Sequence, residues 1–114
     1  MLSTLETLGQ ISKQSERYEV RDDYTLDKLQ LSSSVLYPDA STNGHRHDAY
    51  DEIFIFQSGE GGVWLRYADE GQGEVEESHT VLAGTIISVP AGTFHKVINW
   101  SQETNLCYIR VMNS

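Results

Sequence analysis

Gly84-Thr85-Ile86-Ile87-Ser88-Val89-Pro90-Ala91-Gly92-Thr93-Phe94-His95-Lys96-Val97-Ile98-Asn99 holds both the punctuation and the chemistry of this chain. Ala83-Gly84 turns the chain into a short β-forming run, Thr85 to Val89. Pro90 sets one φ and Gly92 frees another, so Pro90-Ala91-Gly92 is a rigid corner. The corner opens a second run, Phe94 to Asn99, and delivers His95 near its start. Two short β-rich runs joined by Gly/Pro punctuation predict strands, not helix.

The same pattern extends outward in both directions. Upstream, Lys28 to Tyr37 alternates, with Leu29, Leu31, Val35 and Tyr37 expected on one face and Pro38 as its end. Glu52 to Gln57 is a dense β-forming run, followed by the turn Ser58-Gly59-Glu60-Gly61-Gly62. Val63 to Ala68, the acidic turn Asp69-Glu70-Gly71-Gln72-Gly73 and Glu74 to Leu82 read as a hairpin. Leu106 to Val111 is the last strand. About eight short strands at regular spacing predict an all-β sandwich or barrel over residues 18–114, as one domain. Residues 1–17 form an N-terminal extension. Leu2, Leu5, Leu8 and Ile11 recur every three residues, and Ser3 with Glu6 fits a capping box, so the extension reads as a short amphipathic helix or a partly ordered tail.

Composition narrows the partners. Eight Lys and Arg against seventeen Asp and Glu leave a net charge of −9 on 114 residues. Nucleic acid and anionic membrane surfaces both demand clustered cations, so neither is expected as a partner. No apolar run reaches the ~20 residues of a membrane span, and the first residues lack a signal-peptide pattern, so the expected compartment is the cytoplasm. Cys107 is the single cysteine, and its apolar neighbours Leu106, Tyr108 and Ile109 mark a core thiol. A homodimer is expected, because a small β domain leaves sheet edges and a sheet face uncovered.

Three of the four histidines stand in chemically suggestive company. His45 and His47 are two apart, so on extended backbone both rings point to one face. Glu52 follows five residues after His47, and His95 lies 43 residues beyond Glu52. Three imidazoles and a carboxylate form a mixed N/O donor set suited to one divalent transition ion: Mn, Fe, Ni, Co or Zn. In an octahedral ion four such donors leave two positions for substrate. His79, among Glu76, Glu77, Ser78 and Thr80, reads as a solvated strand residue.

Both histidine segments resemble the paired motifs of the cupin family. Gly44-His45-Arg46-His47-(x4)-Glu52-(x6)-Gly59 is similar to the first, and Gly84-(x5)-Pro90-x-Gly92-(x2)-His95-(x3)-Asn99 to the second at every fixed position. The Gly/Pro/Gly frame of the second motif alone would match by chance roughly two or three times in ten thousand. The one departure is Asp39, where the first motif has glycine; Asn43-Gly44 can take over the tight turn. The resemblance implies a small antiparallel jelly-roll barrel with His45, His47, Glu52 and His95 around one metal. Asn99 is expected to bond backbone rather than ligand, and Gly59 and Gly84 to supply positive φ.

The resemblance does not supply a reaction, because one fold hosts many chemistries. Phe54 and Phe56 share the parity of Glu52, and with Tyr108 and Arg110 they form the expected substrate-contact set. Tyr37 and Trp64 are further candidates for contact, and Tyr37 and Tyr50 are weak candidates for a proton-transfer role. The favoured function is metal-dependent, non-redox isomerase or lyase chemistry on a small oxygen-rich metabolite, sugar-like or a hydroxy or keto acid. An Fe(II)-dependent dioxygenase and a non-catalytic metal-containing binding module are the alternatives.

Overall fold

The computed structural model describes residues 10–113, and among them there is no helix. Ten strands run in chain order: β1 (Gln10–Gln14), β2 (Tyr18–Thr25), β3 (Leu29–Leu36), β4 (His45–Arg46), β5 (Glu52–Ser58), β6 (Gly61–Asp69), β7 (Gly73–Val81), β8 (Ile86–Val89), β9 (Phe94–Asn99) and β10 (Leu106–Asn113). They form a six-stranded sheet, β1-β2-β3-β10-β5-β8, and a four-stranded sheet, β4-β9-β6-β7, with every pairing antiparallel. The two sheets enclose one core in a jelly-roll arrangement. Leu36, Phe54, Phe56 and Tyr108 come from one sheet, and Val63, Leu65, Val81 and Val97 from the other. No helix among the described residues is long and apolar enough to cross a membrane.

The runs flanking the Pro90 corner are β8 and β9, and the acidic turn joins β6 to β7 as expected. Glu52, Phe54 and Phe56 alternate inward along β5, with Ile53 and Ile55 outward. On β3 the expected face is reversed: Ser32, Ser34 and Leu36 are buried, while Leu29 is exposed. Hydrophobic periodicity misleads here because Ser34 faces a polar cavity and the Ser32 hydroxyl bonds Asp22, so two inner positions of β3 are small and polar. Leu31 and Val35 then fall on the outer face of the six-stranded sheet, where they are half-buried.

Of the N-terminal extension, residues 1–9 lie outside the described residues, so the stripe Leu2, Leu5 and Leu8 is not described. Its last member, Ile11, is in strand, not helix. Residues 10–14 extend the six-stranded sheet by pairing with β2, in a register that shifts between Ile11 and Lys13. An open sheet edge supplies the hydrogen-bonding partners that draw this segment into a strand.

Backbone geometry accounts for the motif frame. Gly59 adopts φ +92°, and a Cβ there would stand 2.5 Å from the Asn105 carbonyl oxygen. Asp39 itself takes φ 60° where the motif has glycine. Aspartate tolerates this left-handed conformation better than most residues, so the departure leaves the turn intact. Asn99 satisfies the buried loop after β3: its Nδ2 donates to the carbonyls of Leu36, Tyr37 and Thr104 at 2.8–3.1 Å, and its Oδ1 accepts from Ser101 N–H.

Candidate metal centre and its pocket

Sheet pairing assembles the histidine cluster. His45 on β4 is the direct cross-strand partner of His95 on β9, which also pairs with Leu65 on β6. Opposed residues in a sheet project to the same face, so the two rings meet at a centroid distance of 4.4 Å. His47 follows two residues on, 4.3 Å from His45. Glu52 opens β5 on the opposite sheet and projects between the layers, where it is 2 % exposed. One donor atom from each of His45, His47, Glu52 and His95 lies within 4.8 Å of the other three.

The hydrogen bonding of the rings turns specific nitrogens toward that point. Nδ1 of His95 donates to the Thr93 carbonyl at 3.2 Å, and Nδ1 of His47 bonds Tyr50 Oη at 2.9 Å. The Nε2 atoms of both rings are left buried with no hydrogen-bond partner, as are both oxygens of Glu52. His47 Nε2 lies 2.9 Å and His95 Nε2 3.7 Å from Glu52 Oε1, close contacts that lack hydrogen-bond geometry. Buried polar atoms without partners are costly, and four converging N/O donors are the chemical complement of a transition-metal ion. The donor set therefore fits such an ion.

Electrostatics prepares the donors. Burial against its neighbours pushes His45 down to about 4, with His95 and His47 adding to the effect. Burial also takes His95 down to about 4, against the opposing Thr93 hydrogen bond, and it lowers His47. All three imidazoles are thus neutral near pH 7 and keep a lone pair free, as metal ligation requires. Burial pushes the Glu52 carboxyl up, countered by the Arg110 guanidinium, whose Nη1 lies 3.5 Å from Oε2.

A cavity of about 460 Å³ opens onto the cluster. Of the expected contact set, Phe54, Tyr108 and Arg110 line it, whereas Phe56 lies outside the lining, 1 % exposed in the core and 5.1 Å from the Tyr108 ring. Tyr37 and Trp64 are also outside it; Trp64 packs against Phe94 and Arg66. Tyr50 does line the cavity, and its raised pKa, from burial and then the Glu52 charge, keeps its phenol protonated. Lys13, Gln30, Ser34, Thr42 and Asn43 complete the polar lining, and the motifs point to none of them. The three-serine run on β3 is the available signal in the sequence, as alternate small hydroxyls mark a strand facing a site. His79 stands apart on β7, two-fifths exposed and paired with Glu77 at 3.1 Å.

Comparison with known proteins agrees with this architecture. The family model described as a cupin domain matches residues 33–112. Among solved structures, a predicted oxalate decarboxylase from Thermotoga maritima superposes with a TM-score of 0.78 at 18% identity, covering 99% of this chain and 98% of that one. KdgF from Halomonas sp. gives 0.73 at 17% identity, over 91% and 86%. The capsular polysaccharide assembling protein CapF from Staphylococcus aureus gives 0.76 at 21%, over 90% of this chain and 27% of CapF. No curated protein matches the sequence. At these identities the structural likenesses establish the shared fold alone.

Proposed function

We propose, for a chain that belongs to the cupin domain family, that it is a metalloenzyme holding one divalent transition ion through His45, His47, Glu52 and His95 and acting on a small oxygen-rich metabolite. The observation that carries this reading is the convergence of four donors, three of them with buried and unpartnered atoms, on one point at the floor of a cavity. The ion that His45, His47, Glu52 and His95 would hold would supply Lewis-acid polarisation of paired substrate oxygens. Phe54 and Tyr108 give that space an apolar side facing a polar lining, a combination that suits a small polar ligand. Tyr50 holds His47 with Nδ1 engaged, and Arg110 holds Glu52 from the other side. Non-redox isomerase or lyase chemistry is placed ahead of oxygenation, because four protein donors fill more of an ion's coordination sphere than the three of many non-haem iron oxygenases.

The experiment is metal analysis followed by turnover. Protein reloaded with Mn, Fe, Ni or Zn should hold about one ion per chain, and a His45→Ala/His47→Ala double variant should hold none. Sugars, keto acids, hydroxy acids and diols are then screened with an oxygen electrode in parallel. Turnover with solvent deuterium incorporation and no oxygen uptake supports the reading. Equal metal content in the double variant overturns the ligand set, and metal-dependent oxygen uptake reverses the order of the two chemistries.

A further inference from the structure

The charge of the cavity is opposite to that of the chain. Although the protein carries −9 overall, the cavity lining includes Lys13, Arg110 and no carboxylate. Glu52, beneath it, is the one acid of the ligand cluster. Register explains how the cations arrive. Arg110 on β10 is opposite Ser32 on β3 and Phe54 on β5, both inward-facing positions. Lys13 on β1 is opposite Val20, a buried inner-face residue of β2. The irregularity between Ile11 and Lys13 lets a strand with an exposed outer edge turn its one cation to the cavity. Asp22 on β2, in line with Arg110 through Ser32, is outside the lining, and its Oδ1 accepts from Ser32 Oγ and Gln30 Nε2.

Neither cation is fully satisfied by the protein. Arg110 is largely buried and touches Glu52 with one nitrogen at 3.5 Å, yet its Nε is buried without a hydrogen-bond partner. Lys13 makes no ion pair among the described residues. Glu52 offsets one of the two cations, and a divalent ion at the cluster would then leave three positive charges facing one small cavity. Lys13 is exposed at the rim of the cavity, but Arg110 is held largely away from water, where uncompensated charge is costly, so the pair is suited to an anion supplied from solution.

We propose that the pocket takes a carboxylate-bearing metabolite, whose carboxylate lies between the Arg110 guanidinium and the Lys13 ammonium while its hydroxyl or carbonyl oxygens face the His45, His47, Glu52 and His95 cluster. The placement of the oxygens rests on the metal reading above; the placement of the carboxylate rests on the two cations alone. This makes β1 part of the binding site, with Lys13 as its specificity residue. It also reverses what net charge suggests, since the local field in a cavity outweighs the distant surface.

Calorimetric binding separates the two halves. Zn-loaded and metal-free protein are titrated with 2-hydroxybutyrate against butane-1,2-diol, which keeps the carbon chain and the 2-hydroxyl but has a neutral alcohol in place of the carboxylate. Glucuronate is compared with glucose in the same way. The charged member of each pair should bind about tenfold tighter or more, the worth of a charge-assisted contact. Lys13→Gln, which removes none of the four donors, should erase most of that preference while the protein still takes up about one Zn per chain. Arg110→Lys should retain part of it. A charged-over-neutral preference in metal-free protein supports the carboxylate site even where Zn uptake fails. Equal affinity within both pairs, or a Lys13→Gln protein with the full preference, overturns the proposal.

Discussion

Tyr50 reaches His47 with a single 2.9 Å hydrogen bond to Nδ1 and a ring stacked at 4.4 Å. Loss of that bond frees the imidazole to rotate and to change tautomer, and partners of this kind typically govern metal affinity by 10–100-fold. Tyr50→Phe keeps the stacking, so it should weaken Zn binding about tenfold in chelator competition with little change in stability; unchanged affinity would remove Tyr50 from the site's support. Tyr108 allows a separate test at the same scale. Burial pushes its phenol up to about 12, above the value near 10 of an unfolded chain. The folded state therefore holds this proton more tightly, and the associated stability is complete below pH ~10 and lost as pH rises through 12. Two pK units correspond to roughly 3 kcal/mol. Urea unfolding at pH 9 and pH 12 should show a larger loss for the native protein than for Tyr108→Phe, and parallel losses would mean that the buried phenol is not the source.

Turns and strands differ in how much of them a sequence reveals. The Gly84-to-Asn99 segment is legible because each of its fixed residues does a single job, as a corner, a ligand or a backbone anchor. The four metal donors are legible for the same reason, since few residue types ligate and their spacing follows the strands. The face of β3 is not, because inward-facing Ser34 lines the cavity and inward-facing Ser32 bonds Asp22, so neither packs against hydrocarbon. Strand β1 is also illegible: all five residues are exposed, and only the edge of β2 makes the segment a strand. Lys13 cannot be seen as a lining residue without that pairing. At turn positions the backbone gives a sharper prediction. Asp39 at φ 60° bears the cost of a side chain in the left-handed region, so Asp39→Gly should leave thermal stability unchanged or raise it by up to about 1 kcal/mol. Gly59→Ala places a methyl against the Asn105 carbonyl at an even less permissive φ and should cost about 2 kcal/mol or more. Thermal unfolding of the two variants checks the contrast, and similar melting temperatures would deny the turn its geometric role.

At the scale of the whole molecule, the outer face of the six-stranded sheet is unusually apolar. Ile11 on β1, Leu29 on β3, Ile53 on β5 and Ile86 on β8 are 44–63% exposed. Between them run the half-buried Leu31, Val35, Ile55, Ile109 and Val111. Alternation places all of these residues opposite the core, so folding of one chain gives them no partner among the described residues. The Glu19–Arg21 pair on β2 separates Ile11 from the others, but the apolar residues of β3, β10, β5 and β8 lie on adjacent strands. Such a face is what a twofold interface uses, since one patch meets its own copy and the contact closes. A stable interface needs about 800 Å² from each partner, which a face over the four adjacent strands β3, β10, β5 and β8 can supply. We therefore propose a homodimer built on this face, leaving the cavity between the sheets open in each copy. Light scattering at micromolar concentration should give twice the 12.8 kDa chain mass. Ile53→Lys combined with Ile109→Lys places charge at the centre of the face and should yield a folded monomer that still takes up Zn. A native protein of 12.8 kDa overturns the dimer, and a double variant that remains dimeric moves the interface to another surface.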